Sequence, residues 1–292
     1  MRGSHTQKRH RNGRVTRRKQ IGHTCLVLPD SVWAKGALTN YFHIVEDCLV
    51  HILTYMNAHK LNKVGTVLYI DQRILNEKKV KLQGSIFLDL LQRFIRVTTR
   101  APCVDPIEIS DKRGNYSVLV DKLGLLAKGG VPLHNIVYKV RTGKRYVLND
   151  REIIEGLREK FKDRYKIVVV DFDGKSLQEQ IDSMKGCVLF MGCHGAGFTN
   201  AYFMGQGAHM LEFFPEAFYT DCFEVVCKRK KIGHHFLHGK SSRVPPITLN
   251  TYLSKKHTAA YDTMEFRSLI RDVTFTMDCA EVIDKVGEIL GA

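Results

Sequence analysis

Apolar and polar positions follow two rhythms along this chain of 292 residues. Short apolar runs at residues 24–28, 67–70, 136–140, 167–170, 187–191 and 207–215 have strand length and few interruptions, the pattern of strands buried in a parallel sheet. Between them the period becomes helical. Over residues 40–57, Ile44, Val45, Cys48, Leu49, Ile52, Leu53 and Met56 share one face, and Asn40 stands where an N-cap belongs. Residues 85–97 predict a second helix with Phe87, Leu90, Leu91, Phe94 and Ile95 inward. Asn149 is expected to cap a helix reaching about Lys162, with Glu152 as its capping-box partner, and Ser176 to cap another. Such alternation predicts α/β architecture, and the second half, read as β-α-β-α-β-α-β, predicts a doubly wound domain. Residues 106–120 allow two short strands at most. The glycine-rich stretch 124–132 is the expected interdomain linker.

The run at 187–191 leads into Met191-Gly192-Cys193-His194-Gly195-Ala196-Gly197-Phe198-Thr199-Asn200, after which a helical turn is expected over 200–204. A G-x-G spacing between a strand and a helix start brings unpaired backbone N–H groups to an anion, or simply fits a tight corner. The next strand carries Glu212, and in nucleotide-binding α/β folds a carboxylate there takes ribose hydroxyls. Arg141 and Arg145 follow the carboxyl end of the strand at 136–140, where open parallel sheets bind ligands, and can supply bidentate contacts to a diphosphate. His43 and Asp47, four residues apart, share a helix face. They read either as a held general base or as an ordinary surface pair.

Charge changes this picture little. Of the formal +15, eight Lys and Arg fall in the first nineteen residues with no Asp or Glu, leaving +7 on the remainder. The tail, residues 1–20, is expected to be disordered, either a solvated terminus or an arm for nucleic acid or an anionic membrane. No run approaches eighteen apolar residues and no apolar signal segment opens the chain, so it reads as soluble and cytoplasmic, lumenal only with an anchor or signal supplied from outside this sequence. Eight cysteines without C-x-x-C spacing suit a reducing compartment. Asp171-Phe172-Asp173 spells D-x-D, a divalent-metal motif in some sugar-nucleotide enzymes and a common turn composition elsewhere. His194-Gly195-Ala196-Gly197 is also similar to the oxyanion loop of esterases, but the chain has no G-x-S-x-G nucleophile elbow.

The segment Cys193-His194-Gly195-Ala196-Gly197-Phe198-Thr199-Asn200-Ala201-Tyr202-Phe203, followed by 207–215, resembles the H-G-A-G-L-T-N signature of glycosyltransferase family 61, with Phe198 where leucine is usual. Arg141-Thr142-Gly143-Lys144-Arg145-Tyr146-Val147-Leu148-Asn149 is similar to its R…R-x-x-x-N element, and Asn40 to Asp47 to its N-x-x-H-x-x-x-D element. The resemblance implies a GT-B fold, two Rossmann-like domains facing a cleft: 21–130 on the acceptor side, 131–275 binding the nucleotide sugar, and a terminal helix over 276–292 packing back on the first domain. It implies inverting transfer from a UDP-sugar, xylose first and N-acetylglucosamine second, to a glycan or glycoprotein hydroxyl, with no cofactor and no essential metal. Asp47 would be the base and His43 its orienting partner. Arg141, Arg145, His194, Gly195, Ala196, Gly197, Thr199, Asn200 and Glu212 would hold the donor. The alternatives are a metal-dependent D-x-D transferase and a basic nucleic-acid-binding protein using the tail and Lys228-Arg229-Lys230-Lys231. Residues 100–130 match nothing in the family.

Overall fold

In the computed structural model of the protein, residues 24–28, 40–77, 81, 85–99, 107–109, 114–127 and 132–292 are described. The basic tail, the loop carrying Trp33, and 128–131 of the expected linker lie outside them. The first sheet uses β1 (Thr24–Val27), β2 (Thr66–Tyr69), β3 (Arg96–Thr98) and β4 (Ile107–Glu108). Its helices are α1 (Tyr41–His43), a π-helix (Ile44–Leu49) and α2 (Val50–Ala58), which run on without a break, then α3 (Gln72–Glu77), α4 (Ile86–Phe94) and α5 (Tyr116–Leu126). The order is β3-β2-β1-β4 with every pair parallel.

The second sheet is built from β5 (Asn135–Lys139), α6 (Asp150–Phe161), β6 (Lys166–Val170), α7 (Leu177–Ser183) and β7 (Cys187–Cys193). A 3-10 helix (Ala196–Phe203), β8 (His209–Pro215), α8 (Cys222–Lys230) and β9 (Gly233–Ser241) follow. The chain ends with α9 (Leu249–Lys255), α10 (Met264–Arg271), β10 (Phe275–Thr276) and α11 (Cys279–Leu290). The order is β10-β9-β8-β7-β5-β6, parallel except for β10 on β9. The chain steps from β5 outward to β6 and returns to the other side of β5 as β7. The carboxyl ends of β5 and β7 therefore flank the topological switch point, where doubly wound sheets form a ligand crevice.

Successive strand side chains point to opposite faces, and in this sheet each face has its own core. Ile136, Tyr138, Leu189, Met191, Leu211 and Phe213 pack with Ile153 and Leu157 of α6 and Val282 and Val286 of α11. The residues between them, Val137, Phe190 and Met210, join a second core that continues into Leu26, Leu49, Leu68 and Leu90 around the first sheet. Apolar packing thus runs unbroken from one sheet to the other.

Several local expectations are corrected. The helix of 40–57 contains a π segment; Asn40 caps it as expected, accepting from Phe42 N–H at 3.0 Å. The helix expected over 85–97 ends at Phe94, because Ile95 turns extended and β-branched Val97 and Thr98 continue as β3. Residues 116–126, expected at most to be strand and linker, form α5, capped by the Asn115 side-chain Oδ1, which accepts from Ser117 and Val118 N–H. Asn149 does not cap α6 with its side chain. It accepts from Met277 N–H (3.1 Å) and donates to the Met277 carbonyl (2.9 Å), tying the start of α6 to the chain that leads into α11. That last helix packs on α6 rather than on the first sheet. Ser176 does form the capping box expected of it, with Glu179. Among the described residues no helix is long and apolar enough to cross a membrane.

Candidate active site

The glycine turn begins inside β7. Gly192 has φ +140°, and a Cβ there would lie 2.3 Å from the Lys139 carbonyl oxygen, so only glycine lets β7 sit this close to β5. A Cβ on Gly195 would meet Arg141 Nη1 at 2.4 Å, and one on Gly197 would meet Lys139 Cδ at 2.9 Å. The turn is thus packed against the cations of the neighbouring strand end, and the helix expected at 200 begins at Ala196 instead.

Arg141 donates through Nη1 to the His194 carbonyl at 3.2 Å and, with Lys139 and Gly195 to Gly197, lines a pocket of about 160 Å³. Arg145 is in the left-handed region, φ +67°, and is 9% exposed. Its nearest carboxylate is Asp272, with Nη2 to Oδ1 at 3.8 Å, while Nε and Nη1 are buried without a partner. Burial pushes its pKa down to about 10. An enclosed guanidinium with two unsatisfied N–H edges is costly alone and suited to an anion.

Arg145 and His194 line a cleft of about 380 Å³ together with Gly195, Ala196, Phe218, Arg271 and, from the first half of the chain, Asn40, Phe42 and His43. In the π segment Ile44, Val45, Glu46, Cys48 and Leu49 are buried, and Asp47 alone stays partly exposed. Its Oδ2 is 2.6 Å from His43 Nδ1. The ionised carboxylate accepts, so Nδ1 carries the proton and Nε2 is left with its lone pair. π-Turns recur at functional sites, and this one sends adjacent Glu46 and Asp47 in opposite directions.

Glu46, 7% exposed, anchors the inward side. It accepts from the Tyr202 hydroxyl of the 3-10 helix and from Arg229 Nη1 of α8, and the Arg229 guanidinium lies 3.4 Å from the centroid of the Tyr116 ring. Arg229 is therefore an internal tie between the two halves and not part of a solvated basic face. Glu46→Ala, which strands that guanidinium, is expected to cost about 2–3 kcal/mol by urea unfolding. A loss under about 0.5 kcal/mol, the range of an ordinary surface substitution, would show that the tie carries no stability.

His194 donates from Nδ1 to Glu212 Oε1 (2.8 Å), and His234 donates from Nε2 to Oε2 of the same carboxylate (2.9 Å). Glu212 is fully buried, so it lies beneath His194 and does not face a ribose. Burial raises the Glu212 pKa, but the two imidazole hydrogen bonds outweigh it and hold the group below the ordinary range. His194 stacks on Phe214 at 5.0 Å, and burial lowers its pKa, keeping it neutral with an accepting Nε2. Thr199 and Asn200, expected at the donor, are also enclosed. Asn200 donates to Gln180 Oε1 (2.9 Å) and accepts from the Tyr41 hydroxyl (3.4 Å), which joins the 3-10 helix to α7 and α1. Asp171 closes its own turn, its Oδ1 accepting from Asp173 N–H at 3.0 Å.

Desolvation also lowers the pKa of His209, His235 and His238. Groups that bind protons more readily unfolded than folded make stability rise with pH, here across the histidine range, and the depressed Glu212 acts in the same direction at lower pH. Asp150, whose pKa burial raises to about 6, opposes this as one carboxyl against four depressed histidines, so the thermal midpoint is expected to be about a few degrees lower at pH 5.5 than at pH 7.5. A flat or inverted profile would contradict these burials.

Lys139 was not singled out from the sequence. It ends β5 on the face of Val137, is 4% exposed, donates to the Cys193 carbonyl, and its Nζ lies 4.8 Å from the Phe198 ring centroid. The available signal was a lysine inside an otherwise apolar strand.

The family model described as Glycosyltransferase 61 matches residues 41–211, more than half of the chain. The chain is 30% identical over 105 residues to "Protein O-linked-mannose beta-1,4-N-acetylglucosaminyltransferase 2" of Tetraodon nigroviridis, covering 36% of this chain and 18% of that protein. The proteins of the same name from Bos taurus and Canis lupus familiaris are 30% and 28% identical, each over 35% of this chain and 18% of their own length. The chain thus matches less than a fifth of the length of these curated relatives.

Proposed function

This chain belongs to glycosyltransferase family 61, and from that premise we propose that it is a glycosyltransferase, an inverting, metal-independent enzyme that works in a GT-B arrangement. In this reading the cleft between the two sheets holds a nucleotide sugar on the second sheet's side and an acceptor hydroxyl on the first. The observation that carries it is the His43–Asp47 pair, 2.6 Å apart, with His43 on the same cleft as Arg145 and His194.

The acceptor oxygen attacks the anomeric carbon as the bond from that carbon to the β-phosphate oxygen breaks. The acceptor's proton passes to His43 Nε2, while Asp47 on Nδ1 fixes the tautomer and stabilises the imidazolium. This exchanges the roles that the resemblance implied, making His43 the proton acceptor and Asp47 its support. Arg145 and Arg141, on either side of the glycine turn, take the charge that builds on the departing diphosphate. Glu212 positions His194, whose neutral Nε2 accepts from a sugar hydroxyl. The names of the relatives put UDP-N-acetylglucosamine ahead of UDP-xylose as donor, and a protein O-linked mannose first among acceptors.

The test is transfer from UDP-N-acetylglucosamine or UDP-xylose to an O-mannosyl peptide with EDTA present, the new linkage read by NMR. A β-linked product from the α-linked donor supports the proposal. An α-linked product contradicts inversion, and activity that returns only with Mn²⁺ favours a metal at Asp171 and Asp173. Preference for UDP-xylose would restore the donor order expected from the sequence.

A further inference from the structure

We propose that Lys139 is a donor-binding residue of this chain, a buried ammonium beneath the Gly195–Gly197 turn that takes its counter-charge from the donor diphosphate, so that donor binding is coupled to proton uptake. The inference rests on the nucleotide-sugar reading of the site.

Three observations carry it. First, Lys139 is enclosed yet lines the small pocket shared with Arg141, Gly195 and Gly197. Second, among the described residues its hydrogen bond goes to the Cys193 carbonyl and its ring contact to Phe198, and neither supplies a negative charge. In sheet register Lys139 pairs with Gly192 and Gly192 with Glu212, so the backbone carrying that carboxylate is two strands away, roughly 9–10 Å between Cα atoms, and both its oxygens are held by histidines; Asp150, the other carboxylate acting on Lys139, forms no ion pair with it and accepts from the Tyr138 hydroxyl. Third, a Cβ on Gly197 would lie 2.9 Å from Lys139 Cδ, so that glycine leaves the room that this side chain fills. A buried cation lacking a contact anion is a cost that a bound diphosphate removes.

Desolvation first, opposed by Cys193 and Glu212 and aided by Arg141 and Arg145, brings the Lys139 pKa down to about 8. A bound diphosphate favours the charged form and raises it. At pH values between the free and bound pKa, the complex therefore holds a proton that the free protein lacks. The other groups facing Lys139 keep their protonation near pH 8.5: burial holds the Cys193 thiol up and the His194 imidazole down, Arg145 titrates at about 10, and Asp150 at about 6. A nucleotide sugar's diphosphate, a diester, has no proton to take up in this range.

The experiment is calorimetric titration of the full chain with UDP-N-acetylglucosamine and UDP-xylose at pH 7, 8.5 and 9, in buffers of different ionisation enthalpy, for wild type, Lys139→Met and Lys139→Gln. Wild type is expected to take up more than half a proton at pH 8.5 and to lose about tenfold in affinity from pH 7 to 9. Both variants are expected to bind about tenfold more weakly at pH 7 and to show no uptake. If the variants fail to fold, the wild-type proton count decides alone. Wild-type binding without uptake at pH 8.5, or variants that bind and take up protons as wild type does, would overturn the role of Lys139 while leaving the nucleotide-sugar reading intact. No donor binding by wild type at any pH would overturn that reading, and the role of Lys139 with it.

Discussion

Replacing His43 by glutamine is expected to lower kcat about 10³-fold with little change in donor affinity, the scale on which a positioned general base contributes. Glutamine fills similar space and can still bond to Asp47, but it cannot accept the acceptor's proton. Asp47→Asn is expected to cost about 10²-fold to 10³-fold, because an amide offers its oxygen or its NH₂ to Nδ1 and no longer selects the tautomer that leaves Nε2 free. The two act as one unit, so the double variant should be no slower than His43→Gln alone. If Asp47 were the base without mediation, Asp47→Asn would be the more damaging change and His43→Gln mild. The ranking of the two single variants by steady-state kinetics decides between these roles, and the 2.6 Å contact to Nδ1 favours the first.

Arg145→Met separates binding from stability. The guanidinium is enclosed, its Nε and Nη1 have no partner, and Asp272 at 3.8 Å is a distant counter-charge. Removing such a group in favour of an apolar chain of similar length costs the fold little and can stabilise it. The donor, in contrast, loses a charge-assisted bidentate contact in a desolvated site, for which about 10²-fold weaker binding is expected. The variant should therefore melt at or above the wild-type temperature and bind nucleotide sugar poorly. A large fall in melting temperature with donor affinity unchanged would assign Arg145 to the scaffold.

Legibility of the fold from sequence followed the strength of the apolar pattern. β5, β7 and β8 are buried on both faces and spell near-continuous apolar runs, so they were readable almost to the residue. α5 was not, since Val118, Val120 and Gly124 lower its intrinsic helix propensity, and it forms because Leu119 and Leu123 reach the shared core. The π segment has no composition of its own and is set by tertiary contacts, chiefly the inward Glu46 bound to Tyr202 and Arg229, which come from distant parts of the chain. Asn149 likewise had the composition of a cap but found a better partner in the Met277 backbone.

The site was legible to the extent that its spacing was local. His43 with Asp47, and the turn from His194 to Gly197 beside Arg141 and Arg145, were named from sequence and are brought together at the cleft and its neighbouring pocket. Thr199, Asn200 and Glu212 belong to the same motifs, yet their side chains point into the protein. A motif marks residues that matter without telling a ligand contact from a buried tie. Lys139 shows the converse, a charge hidden in a strand whose apolar neighbours drew attention away from it.

The central claim, that a nucleotide sugar binds over the glycine turn against Arg145 without a metal, is tested most directly by calorimetric titration of wild type and Arg145→Met with UDP-N-acetylglucosamine in EDTA. Binding by wild type that is unchanged by added Mn²⁺ and about 10²-fold weaker in the variant is the predicted result. Equal binding by the two proteins, or wild-type binding that requires Mn²⁺, would contradict it.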